Sequence, residues 1–402
     1  MRAVTATDAP LAWDPLDEQY KDDPHTIWKR LRDEAPLYYN EQLDFYALSR
    51  FSDVDGAHRD PHTFSSAHGT VLEMMSPEVL SGGLMIFLDP PDHTRLRRLV
   101  SKAFTPRRMA VLEDDVRSLC ASLLDTQVGH STFDYVQDFG ARVPAYVIAA
   151  LLGVPQEDRD YVRHEIDSTF HLDPVTGMIN DHSAQAMANL HEYTIAQLEA
   201  RMRQPRDDMF TDLLQGEIVD EDGEVRRLTL DEVVMFSLLI VMAGTETVAR
   251  LIGWAGVVLA DHPDQRAELA ADASLIPNAV EELLRYESPS PVQGRWTTAE
   301  TEFQGQVIPA NSKLLLIDGS AGRDERSFPN ADQFDIRRVM DHHLSFGYGV
   351  HFCLGAALAR LEGRIAIEET LRRFPVWTVD LSKATPLHTS TVRGYANLPI
   401  EV

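Results

Sequence analysis

Apolar positions along most of this chain recur every three to four residues, the period of a helix with one buried face. Alternating, β-prone runs gather near the N-terminus and in the last third. Residues 24–32 predict the first helix, with Asp23 as cap and Pro24 in the first helical position. Residues 37–50 predict a hairpin turning near Glu41-Gln42. Asp89-Pro90-Pro91 predicts a second Asp-capped helix start, and further amphipathic helices follow over 109–126, 145–152, 156–170 and 183–203.

Thr229-Leu230-Asp231-Glu232 has the form of a capping box and predicts a helix running to His262-Pro263. Such a helix would be on the order of 45–50 Å long. Its first half is nearly all apolar, which predicts burial on most faces. Another helix is predicted over Ile276–Tyr286, then strands over 295–301, 301–308 and 314–317 with turns at 303–305 and 309–311. A helix over 355–373 and a short β tail close the chain. The pattern predicts an α+β, predominantly α-helical fold with no linker, hence one domain over 1–402.

Composition narrows the class. A formal net charge of −26 argues against nucleic-acid binding, which needs clustered Lys and Arg. Two cysteines, Cys120 and Cys353, exclude a disulfide framework and fit a reducing cytoplasm. The acidic N-terminal stretch lacks a signal-peptide pattern. The most apolar run, 233–244, is short for a bilayer span before Glu246 and Arg250 interrupt it. A cytoplasmic protein is expected.

Candidate chemistry is concentrated in Phe346-Gly347-Tyr348-Gly349-Val350-His351-Phe352-Cys353-Leu354-Gly355. A lone cysteine is most often inert core. Here it stands in a Gly-rich loop just before a helix, whose unpaired N–H groups stabilise a thiolate. Gly347, Gly349 and Gly355 would allow positive φ and close approach of a flat ligand. The stretch resembles the haem-binding loop of the cytochrome P450 family, Phe-Gly-x-Gly-x-His-x-Cys-Leu-Gly, at every fixed position.

The resemblance extends to other segments in the same order. Ala243-Gly244-Thr245-Glu246-Thr247 is similar to the family's oxygen-activation motif. It implies that Ala243 and Gly244 let the haem approach, while Glu246 and Thr247 deliver protons. His93-Thr94-Arg95-Leu96-Arg97 places His93 and Arg97 on one helical face. It resembles the helix that contacts the haem propionates, and Arg295 and His351 match the other propionate contacts. Glu282-Leu283-Leu284-Arg285 is similar to the family's Glu-x-x-Arg, whose buried network takes an arginine from a later loop. In the segment 328–338, Ala331 replaces a usual proline and Gln333 stands where many members carry that arginine, which makes Arg338 the candidate. Such a network would brace the loop, since a buried ionic triad is costly unless fully hydrogen-bonded.

The implied protein is a haem-thiolate monooxygenase of the bacterial type. Haem b would be bound through Cys353, and electrons would come from NAD(P)H through a ferredoxin-type donor. A peroxide-driven enzyme and a haem-binding sensor are the alternatives; the Glu246-Thr247 pair argues against both. The donor would dock on a local charge inversion formed by Arg95, Arg97, Arg98, Lys102, Arg107 and Arg108. A lipophilic substrate is expected beside Met85, Phe170, Val241, Met242, Val292, Gln293 and Val392. The Met- and Leu-rich stretch 71–87 would form a mobile entrance, and Gln293, Arg393 or His171 could add a polar anchor.

Overall fold

The computed structural model describes residues 11–20, 23–80, 84–104, 106–170, 180–219 and 223–402. Its helices are α1 (His25–Glu34), α2 (Phe51–Arg59), α3 (Asp92–Val100), α4 (Pro106–Asp125), α5 (Arg142–Leu152), α6 (Arg159–Thr169) and α7 (Asp181–Arg203). They continue with α8 (Met209–Gln215), α9 (Leu230–Asp261), α10 (Pro263–Ala271), α11 (Ile276–Tyr286), α12 (Asp318–Ala321) and α13 (Ala356–Arg373). The prediction left out α2, α8, α10 and α12. All four are short, so their periodicity spans too few turns to register.

Two of the expected caps act differently. Asp23 accepts from the His25 N–H at 2.9 Å, yet Pro24 is the residue that flanks α1. Asp89 does not cap α3, which begins at Asp92; its carboxylate instead takes the Ser66 N–H at 2.8 Å and the Ser65 hydroxyl. The capping box of α9 forms, with Glu232 N–H on Thr229 Oγ1 at 3.2 Å and Thr229 N–H on Glu232 Oε2 at 2.7 Å.

α9 is the axis of the main apolar cluster. Val233, Phe236, Leu251, Ile252 and Val258 pack there with Val143 and Ile148 of α5, Leu283 of α11 and Ile365 of α13. By length and composition α9 could cross a membrane, but most of its apolar window is buried against these neighbours.

A five-stranded sheet forms the β-rich part, in the order Leu37–Asn40, Phe45–Leu48, Lys313–Leu316, Gln293–Thr297, Phe64–Ser65. The two-residue period of a strand separates its faces. Leu315 and Ile317 join the cluster under α1, while Leu314 and Leu316 join the one under α2. The run 301–308 is a hairpin of Thr301–Phe303 and Gln306–Ile308, turned by Gln304 and Gly305 at positive φ. In the Met-rich stretch Leu72 and Met75 are core beneath α1, packed with Trp296, so that part is a wall and not a mobile entrance. Residues 81–83 of the stretch lie outside the described residues.

Candidate functional site

Cys353 sits between the loop and the start of α13, half-buried, with its N–H on the Phe346 carbonyl at 2.9 Å. Gly347 and Gly349 take φ of 62° and 68°, as expected. A side chain on Gly349 would also collide with the His58 carbonyl oxygen. Gly355 differs: its φ is −85°, so left-handed freedom is not its use. Its N–H points at the Cys353 sulfur instead. Burial pushes the Cys353 thiol up; the Gly355 N–H, the charges of Arg97 and Arg360, and the Ala356 N–H pull it down without prevailing. Direct coordination to a metal cation would supply what is missing, because a coordinating thiol is deprotonated outright. Cys120 is no rival. It is fully buried, and that burial, with Glu362 and Glu369 nearby, drives its thiol well above the ordinary range.

Beside this loop lies a group of polar side chains without partners. His93 is buried with both ring nitrogens unbonded, and His351 Nε2 is likewise unbonded. The two rings are 4.2 Å apart between centroids. Burial, then the Arg97 charge, lowers His93 to about 4. Burial, then Arg295, His93, Arg97 and His58, lowers His351 to about 2. Arg295 is buried too, set on its strand opposite Leu314. Arg97 holds the Phe352 carbonyl. Neutral imidazoles beside two guanidiniums form a site short of negative charge, and orphaned buried nitrogens are costly unless a ligand satisfies them. The residues fit a flat group that carries two carboxylates and a metal.

The middle of α9 is less uniform than expected. Ala243 is exposed and Thr247 half-buried, though flanked by buried turns, so this face borders accessible space. Thr247 Oγ1 donates to the Ala243 carbonyl at 2.9 Å. Gly244 faces elsewhere: a Cβ there would lie 2.6 Å from Ile148 Cδ1, so its smallness serves the packing of α5 on α9, not the approach of a ligand. Glu246 is already engaged. It is buried and held by Arg250, with Nη2–Oε2 at 2.8 Å, and Arg250 reaches on to the Tyr395 carbonyl. The spacing of Glu246 and Arg250, four residues apart, was a readable signal for that pair.

Glu282, Arg285 and Arg338 come together as the motif implied. Arg285 Nε and Nη2 donate to Glu282 at 2.7 Å each, and Arg338 Nε lies 3.0 Å from Oε1. The remaining donors are absorbed by the carbonyls of Gly322, Ala331, Pro329 and Gln333.

Of the substrate candidates, Met85 and Val241 are buried in the main cluster and Val292 in the one under α1. Val392 is buried as well, while Phe170 and Met242 are half-buried. Gln293 Nε2 donates to Ser290 Oγ at 2.8 Å. Arg393 is not a pocket anchor. It pairs with Glu287 at 2.5 Å and lies 4.5 Å over the Trp254 ring, in a separate cleft of about 420 Å³ shared with Arg323 and His25. His171 falls outside the described residues. In the basic segment Arg98 is exposed, but Arg95 is paired with Asp92 at 2.7 Å, so the charge inversion is smaller than the residue count implied. Lys102, Arg107 and Arg108 have side chains outside the described set.

Residues 48–397 match the family model "Cytochrome P450". A Mycobacterium tuberculosis protein provisionally named cytochrome P450 123 is 39% identical over 402 residues, covering 99% of each chain. A vitamin D(3) 25-hydroxylase of Pseudonocardia autotrophica is 37% identical over 384 residues, 94% of this chain and 93% of its own. Cytochrome P450 CYP109Q5 from Chondromyces apiculatus superposes with a TM-score of 0.87 at 34% identity, covering 98% of both chains.

Proposed function

The chain belongs to the cytochrome P450 family, and from that premise we propose that it hydroxylates or epoxidises a lipophilic small molecule, with electrons from NAD(P)H passed by a ferredoxin-type donor. Membership makes it a haem-thiolate monooxygenase that binds haem b through a cysteine. When bound, the haem iron supplies the oxygen-activating chemistry, and a thiolate ligand favours O–O cleavage. Cys353 is the ligand in this reading, since Cys120 is sealed in the core. His93, His351, Arg97 and Arg295 hold the propionates, and Phe346 and Gly347 shape the loop.

The observation that carries the reading is the set of unpartnered His93 and His351 nitrogens beside the buried Arg295, the half-buried Arg97 and the half-buried Cys353. Thr247, on the accessible face of α9, holds and passes a proton at its hydroxyl. Glu246 serves that route once its carboxylate leaves Arg250. A sterol-like or other extended apolar substrate suits the apolar side chains at Met85, Val241, Val292 and Val392, and the Pseudonocardia relative acts on vitamin D(3) by its name. In this reading the electron donor docks at the helix bearing Arg95 and Arg98. The protein acts in the cytoplasm, and the chain forms one cytochrome P450 domain.

The test is the reduced CO spectrum of the haem-loaded protein, followed by turnover with NADPH and a surrogate ferredoxin system. Wild type is expected to give the thiolate–CO band and substrate-dependent product. Cys353→Ser is expected to lose the band; its retention overturns the ligand assignment. CO binding without any product across a lipophilic library favours a sensor.

A further inference from the structure

Glu282 and its neighbour Glu281 face different structures. Glu282 belongs to the closed triad, whereas Glu281 faces α13. There Arg360 Nε meets Glu281 Oε1 at 2.7 Å and Nη2 meets Oε2 at 2.8 Å, a bidentate pair. Ser345 N–H donates to His343 Nδ1 at 3.2 Å, so His343 carries its proton on Nε2 and donates it to Glu281 Oε2, also at 3.2 Å. Burial opposes ionisation of Glu281, but His343 and Arg360 hold it at about 2, so the pair is ionic.

This clamp fixes where the Arg360 charge lies. The guanidinium stands 4.6 Å over the Phe346 ring, within reach of a cation–π contact. The Phe346 carbonyl is the acceptor of the Cys353 N–H, and the Arg360 charge acts on the Cys353 sulfur. The Arg360 side chain is 38% exposed along a cleft of about 320 Å³ between α11 and α13, so its charge is screened but not lost.

Resting on the haem-thiolate reading, we propose that Arg360 is a positioning residue for Cys353: held by Glu281 and seated on Phe346, it places a positive charge behind the thiolate and raises the reduction potential of the bound haem. Arg360 supplies the charge and Glu281 partly offsets it. Their removal therefore acts in opposite directions, whereas a loosened loop would move both variants the same way.

The experiment is spectroelectrochemical titration of the haem-loaded Arg360→Met, Arg360→Lys and Glu281→Gln proteins. At an effective dielectric of about 20 or more, Arg360→Met is expected to lower the equilibrium constant for one-electron reduction roughly threefold to tenfold. That is about 30–60 mV to more negative potential at about 59 mV per tenfold. Glu281→Gln is expected to shift it to more positive potential, and Arg360→Lys, which keeps the charge, to stay nearest wild type. Any other pattern overturns the proposal. The wild-type thiolate–CO band, recorded first, separates the two readings. Its absence overturns the haem-thiolate reading and this proposal with it; its presence with a different pattern of potentials overturns this proposal alone.

Discussion

Two polar clusters of this molecule are built on opposite principles. In the Glu282–Arg285–Arg338 cluster the carboxylate and the guanidiniums are paired with each other or with backbone carbonyls. In the cluster of His93, His351, Arg97 and Arg295, three ring nitrogens of the two histidines have no partner. The first is closed and can only support structure. The second is open and spends stability that a ligand must return. The difference separates architecture from site more sharply than burial does, since Glu282 and His93 are both buried.

Breaking the closed cluster gives the largest expected effect. Glu282→Ala strands two guanidiniums, one of them fully buried, and is expected to cost about 3–5 kcal/mol. Against a total of about 5–15 kcal/mol this reads as a collapse in denaturant midpoint or soluble yield. A loss below about 1 kcal/mol would show that the cluster is not the brace described.

The open cluster predicts the reverse behaviour. His93→Leu removes two unsatisfied nitrogens, so the haem-free protein is expected to be as stable as wild type or more so. Haem transfer to a high-affinity acceptor protein is expected to be about tenfold faster, the worth of a lost charge-assisted hydrogen bond. Unchanged transfer would remove His93 from the propionate set.

Acid titration sharpens the same point. The folded state holds His93 at about 4, below its ordinary 6.5, so between those values the unfolded chain binds the extra proton. Stability of the haem-free protein therefore rises with pH across about pH 4 to 6.5 and falls on acidification. His93→Leu is expected to flatten that slope by up to about one proton, measured as denaturant midpoints against pH.

The smallest effect on the fold sits in one turn of α9, where Glu246 is closed by Arg250 and the half-buried Thr247 donates to the Ala243 carbonyl of its own helix. Thr247→Ala is expected to leave stability and haem binding unchanged while a severalfold larger share of reducing equivalents appears as peroxide. Unchanged coupling would take Thr247 out of the proton route.

Much of this was legible before the fold was seen. The apolar period drew α9, α11 and α13 within a residue or two, because long amphipathic stretches overdetermine their own geometry. The family resemblance singled out Cys353, His93, Arg97, Glu282 and Thr247 as candidates, since each belongs to a short local motif. Pairings made across the chain were harder to read. Arg393 was one of three residues offered as a polar anchor for the substrate but is taken by Glu287, more than a hundred residues earlier. Gly244 was assigned to the cofactor but makes room for Ile148. The Arg360–Glu281 clamp went unseen because neither residue stands out from an ordinary charged helix face.

Residue type and short-range period were enough to draw α9, α11 and α13 and to mark the loop around Cys353 as the candidate site. Only the tertiary structure decided which polar groups are satisfied. A hydrogen bond needs its partner brought within about 3 Å, and whether a histidine is paired or left open depends on elements that meet only when the chain has folded.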